Sequence, residues 1–134
     1  MSKDIKVKKG LDLRFKGEAE KTLVDAPRSK TFAIKPPDFH SVVPKLTLKE
    51  GAKVLAGEEI FFSKYNKELK FVSPVSGEVK EVVRGAKRRV LEVVIQADQT
   101  NSYKEYDRID IASADAKVVK NRVFESGCGA FIKQ

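Results

Sequence analysis

The sequence predicts a mostly β domain, a small sandwich or barrel with one helix near the C-terminus, and three observations predict it. Apolar residues between Val42 and Gln96 recur mainly with a period of two. Pro44, Gly51, Gly57, Pro74, Gly77 and Gly85 punctuate that stretch, the spacing of many short strands. From Ala114 onward the period lengthens to that of a helix.

A chain of 134 residues, 41% of them hydrophobic, suits one core, because domains commonly run to about 100 to 200 residues. With aromatic residues at 8% and no tryptophan, that core rests on Val, Leu, Ile and Phe. Near the start, Ile5 and Val7 alternate with lysines, Gly10 interrupts, and Leu11 and Leu13 resume, which reads as strand, turn and strand. From Thr22 to Ile34 the alternation weakens, and Pro27, Pro36 and Pro37 mark turns, so this region is expected to be looped and edge-like. Strands then follow at Leu46–Leu48, Val54–Leu55, Ile60–Phe62, Leu69–Val72, Val79–Val83 and Val90–Ile95. Asp98 to Ser102 is a polar loop, and a helix is expected over roughly Ala114–Ser126, capped by Ser113 or Asp115 and ended by Gly127. Ala130-Phe131-Ile132 brings apolar side chains with little after them, so the native chain is expected to continue past Gln134. Gly51-Ala52-Lys53 recurs as Gly85-Ala86-Lys87, an echo that points to two related halves and not to a solenoid. The expected organisation is residues 1–41 as N-terminal strands and a Pro-rich loop packing on the barrel, 42–97 as the barrel core, and 98–134 as polar loop, helix and C-terminal segment.

The formal charge of +8 and the pI near 9.6 fit nucleic acid, an anionic membrane surface or an acidic protein as partner. One cysteine, Cys128, and one histidine, His40, exclude an internal disulfide framework and a structural zinc site of the usual ligand set, and suit a reducing cytosol. No stretch approaches the ~20 apolar residues that cross a bilayer as a helix, so a soluble or peripheral chain is expected.

Arg84, Lys87, Arg88 and Arg89 form a basic turn, the best candidate for an interaction surface. His40 has no nucleophile or paired acid placed with it in sequence and reads as a loop histidine. Cys128 has no activating partner, and Asp107, Asp110 and Asp115 lack the Gly-centred spacing of a calcium loop. There is neither a Gly-x-Gly-x-x-Gly phosphate loop nor a cysteine cluster, so no catalytic, dinucleotide or iron-sulfur site is expected in this chain.

Gly51 and Gly57 within Lys49–Ile60, followed by Ser73-Pro74-Val75-Ser76-Gly77, resemble the biotinyl/lipoyl carrier pattern, in which glycines make tight turns and Pro74 with Gly77 bends the chain. The resemblance implies a barrel-sandwich hybrid of two small sheets. Counting back about eight residues from Pro74 to the carrier's modified lysine lands on Asn66. Lys64 and Lys67 are out of register, so they read as solvated lysines on a hairpin tip. Replacing Gly77 is expected to destabilise the fold because a turn glycine at positive φ tolerates a β-carbon poorly.

A longer ordered series is Lys8-Lys9-Gly10-Leu11-Asp12-Leu13, Lys49-Glu50-Gly51, Pro74-Val75-Ser76-Gly77-Glu78-Val79, Arg84 to Leu91, and Glu125-Ser126-Gly127. It resembles the amino-terminal part of the A subunit of the sodium-translocating NADH:quinone oxidoreductase; the C subunit of Rnf-type complexes shares the barrel motif. The chain departs from that pattern at Gly127-Cys128-Gly129, where a bulkier pair is expected, and in its polar lead Met1 to Asp4. The resemblance implies a parent complex that couples NADH oxidation and quinone reduction to sodium export, with flavins and an iron-sulfur cluster housed mostly in other subunits. It implies a structural, docking role for this chain at the cytoplasmic face of the bacterial inner membrane, peripheral, with other subunits as partners, quinone or anionic lipid nearby, and no nucleic acid. The alternative is a basic nucleic-acid-binding β-barrel, with Lys and Arg on phosphates and Phe61, Phe62, Tyr65 or Phe71 stacking on bases.

Overall fold

The computed structural model describes residues 10 and 16–132. The strands read at Ile5–Val7 and Leu11–Leu13 lie outside them. Among the described residues seven strands form two antiparallel sheets: β1 (Thr31–Ile34), β2 (Pro44–Leu46), β3 (Lys53–Val54), β4 (Glu59–Ser63), β5 (Lys70–Val72), β6 (Gly77–Arg84) and β7 (Val90–Ala97). The larger sheet has the order β1-β7-β6-β3 and the smaller β2-β4-β5. The edge-like reading of the proline-marked region is matched by β1, which among the described residues pairs only with β7, Thr31 opposite Gln96. The larger sheet therefore takes its edge strand from before residue 42.

The alternation on β6 buries Gly77 and Val79 and exposes Glu78 and Lys80; a bulge between Val79 and Glu81 then shifts the register. Along β7, Val90, Val93 and Ile95 point inward. They meet Val54, Ile60, Phe61, Phe71, Val75 and Val79 in one core. Each such side chain contributes about 1.5 to 3 kcal/mol when fully buried. At the centre, Phe61 of β4 stacks on Phe71 of β5 with ring centroids 4.6 Å apart, and Phe39 meets Phe71 edge-on at 4.6 Å. Backbone bonds stitch the turns, Gly57 N–H to the Ser73 carbonyl (2.8 Å) and Ser73 N–H to the Glu58 carbonyl (2.8 Å).

The sequence echo has no conformational counterpart. Gly51 sits at φ +82 and donates to the Val79 carbonyl across to β6, whereas Gly85 sits at φ −100 and donates to Arg89 within its own hairpin. One segment is a turn between strands of the two sheets and the other a hairpin end, so similar residues serve unrelated geometry.

After β7 the chain runs across the barrel, where Ala56 and Tyr103 form a parallel bridge, and enters α1 (Ala116–Glu125). Asp115 holds the N-cap position without a side-chain bond, and the Ser113 hydroxyl donates to Asp110 instead (2.8 Å), so neither expected cap closes the helix by its side chain. The first turn is closed by the Asp115 carbonyl, which accepts from the Val118 N–H (2.9 Å). Gly127 follows the helix at φ +79, and Phe124 packs over Gly129 in the short 3-10 segment Cys128–Phe131.

A candidate docking surface

The Ser73–Gly77 turn is a structural lock. Ser76, 1% exposed, donates its hydroxyl to the Asp98 carboxylate (2.8 Å) and accepts from the Ser102 N–H (2.9 Å). The Asn101 side-chain oxygen accepts from the Ser76 N–H (3.4 Å) and from Arg28 Nη2 (2.6 Å), while Arg28 Nη1 donates to the Gln99 carbonyl (2.7 Å). Two segments far apart in sequence are thus clasped onto one turn. Both buried serine hydroxyls of this turn are committed, Ser73 to the Val75 carbonyl (2.5 Å), and Pro74 lies exposed between them.

Gly77 begins β6 at φ +157, and a β-carbon there would overlap the Gln96 carbonyl oxygen. The demand for glycine comes from the close approach of the β7 backbone more than from the turn itself. Gly51 and Gly57, at φ +82 and +87, occupy the left-handed region, and Gly57 lies against the Lys104 side chain.

On the β4–β5 tip, where a carrier would display its lysine, the Asn66 side-chain oxygen accepts from the Glu68 N–H (3.0 Å) and the Asn66 carbonyl from the Leu69 N–H (3.1 Å). Asn66 therefore shapes the turn, and Lys64 and Lys67 flank it in solvent.

The β6–β7 tip brings Arg84, Lys87, Arg88 and Arg89 together, all exposed. Lys87 and Arg88 both have positive φ, +55 and +60, and the Arg89 N–H donates back to the Ala86 carbonyl (3.2 Å). The connection is the five residues Gly85–Arg89, and adjacent positions at positive φ favour Gly, Asn or Asp. A left-handed conformation costs about 1 kcal/mol or more for a residue with a β-carbon. Arg84 Nη1 donates to the Arg88 carbonyl (3.2 Å), which braces the tip from below.

The other singled-out residues stay apart. His40 is exposed beside an apolar hollow of about 590 Å3 lined in part by Phe39, Phe71 and Phe131. Cys128 is exposed and free. Asp110 is used locally, its carboxylate accepting from the Ala112 N–H (3.1 Å) and the Ser113 hydroxyl. No group of three or more candidate metal ligands occurs among the described residues. Of the aromatics offered for base stacking, Phe61 is 0% and Phe71 3% exposed, which removes both from contact with bases. Phe62 lies half-buried under Lys45, so of these four aromatics Tyr65 alone stands exposed.

Several contributors carry no sequence signal: the Arg28–Asn101 clasp, and Tyr106, whose hydroxyl lies 3.0 Å from the Glu125 carbonyl with Arg122 over its ring. They are long-range polar contacts from aperiodic segments, and only the polarity of Asp98–Ser102 marks the region.

Two small antiparallel sheets curled over one core, with glycine turns and a carrier-like Ser-Pro-x-Ser-Gly bend, define a barrel-sandwich hybrid. A family model described as the NqrA N-terminal barrel-sandwich hybrid domain matches residues 5–98, and the chain belongs to that family. Relatives named as the A subunit of Na(+)-translocating NADH-quinone reductase align over most of the chain. The protein from Saccharophagus degradans is 32% identical over 125 residues, and those from Shewanella amazonensis and Vibrio vulnificus are 35% and 34% identical over 125 residues. In each case the match takes in 92% of this chain and 28% of the relative. The chain thus spans little more than a quarter of the curated relatives it matches.

Proposed function

We propose that this domain is a structural and docking element within the A subunit of a sodium-translocating NADH:quinone reductase, seated at the cytoplasmic face of the bacterial inner membrane. The observation that carries the reading is the family match over residues 5–98, together with relatives that bear that subunit's name. NADH oxidation, quinone reduction and sodium export then belong to the complex, with the flavins, the iron-sulfur cluster and quinone held elsewhere in it. No helix of the described residues is long and apolar enough to cross a membrane, which suits a peripheral subunit held at one side through others. Within the reading, residues 42–97 carry the barrel core with β1 added as an edge strand, and the rest of 1–41 and 98–134 are accessory segments. The basic turn of Arg84, Lys87, Arg88 and Arg89 is the contact surface, and Gly51, Gly57, Pro74 and Gly77 hold the framework.

The test is purification of the full-length parent from native membranes with an assay of sodium-stimulated NADH:quinone reductase activity. Co-purification with that activity, lost when this domain is deleted, is expected. A soluble parent bound to RNA or DNA would reject the reading.

A further inference from the structure

We infer that the β6–β7 tip, with the depression beside it, binds the anionic headgroups of phospholipids. The inference deepens the docking reading and rests on it for its setting at a membrane, but its chemistry stands on the tip itself. Arg84, Lys87, Arg88 and Arg89 fall within six consecutive positions, all exposed, and none is in an ion pair among the described residues. Two of the nearby acids are engaged elsewhere: the Glu92 carboxylate lies 3.3 Å from the Lys35 ammonium, and the Glu50 carboxylate accepts from the Val82 N–H (2.7 Å), which leaves exposed Glu81 against four cations. Lys87 and Arg88 occupy left-handed positions where Asn-Gly would be less strained. A charged pair retained against backbone preference is the kind of outlier that marks a functional site.

Phospholipid fits better than the other polyanions. The tip Gly85–Arg89 has no aromatic side chain, so it lacks the platform of single-stranded nucleic acid binding. Beside it, a depression of about 480 Å3 has the partly buried Leu46, Leu48 and Val82 in its wall and Lys49 and Arg84 in its lining. Its polar members are occupied: the Thr47 hydroxyl donates to the Ile60 carbonyl (2.9 Å), and Glu50 is held by Val82. Cations beside an apolar seat match an amphiphile with a negatively charged head.

The experiment is co-sedimentation of the 134-residue chain with vesicles of phosphatidylglycerol and phosphatidylcholine, or of phosphatidylcholine alone, at low and high salt. Binding to the anionic vesicles only, falling with salt, is expected. Lys87→Asn/Arg88→Gly should weaken it roughly thirty-fold, since each surface cation near an anionic leaflet adds about a further five-fold in affinity. The same variant should melt at a higher temperature, which separates lost charge from lost fold. Lys64→Asn/Lys67→Asn removes equal charge from the β4–β5 tip and should have much less effect. Equal loss in both variants, equal binding to neutral vesicles, or no binding at low salt would each overturn the inference. None of these touches co-purification with the reductase, which tests the docking reading separately.

Discussion

Strand β6 begins and ends in opposite circumstances. At Gly77 the chain is buried, crossed by the β7 backbone and fixed by the Ser76, Asn101 and Arg28 bonds. Only glycine fits, and glycine is present. At the far end Lys87 and Arg88 stand in solvent at positive φ, where glycine or asparagine would be favoured, and long cations are present instead. The first turn obeys its steric environment and the second departs from its backbone preference. Residues that follow local physics report on the fold, whereas residues that oppose it report on a use for the surface.

That contrast can be broken in measurable ways. Gly77→Ala should cost about 3 kcal/mol in urea unfolding, because the new methyl meets a backbone carbonyl that cannot move without parting β6 from β7. A near-normal midpoint would mean the strands accommodate it. Ser76→Ala should cost about 2 kcal/mol by the same measurement, since the buried hydroxyl serves both Asp98 and the Ser102 N–H. At the other end the sign reverses: Lys87→Asn/Arg88→Gly should stabilise the chain by about 1 kcal/mol. Destabilisation there would show that the cations hold the hairpin. Smallest of all, Arg88→Glu/Arg89→Glu should move stability by no more than about 0.5 kcal/mol, as exposed substitutions do, while weakening assembly of the parent complex in a pull-down. Unchanged assembly would reduce the tip to a solvated surface in that complex.

Much of the barrel was legible because its signals are local. Alternation from Val42 to Gln96 and the intervening glycines place β2 to β7, and the three-to-four residue spacing of Ala116, Val119 and Val123 places α1. The basic tip was legible as four cations in one turn. Its left-handed backbone was not, because Lys-Arg carries no preference for that conformation. The Arg28 clasp and the Tyr103 bridge were hidden for a different reason: hydrogen bonds between distant aperiodic segments leave no period to read. The Gly-Ala-Lys echo shows the converse hazard, since three matching residues took up two unrelated conformations.

Among the described residues both sheets end in very short strands. β1 has 4 residues, β2 and β5 have 3 each and β3 has 2, while the interior strands β6 and β7 have 8 each. Lys35 and Pro36 close off β1, and Pro44 opens β2 without an N–H to offer. A neighbouring molecule seeking a row of backbone donors and acceptors finds only a few before the edge gives out. The same economy of edge length gives fibril growth little to template on, whereas β6 and β7, the longest strands, are kept in the sheet interior.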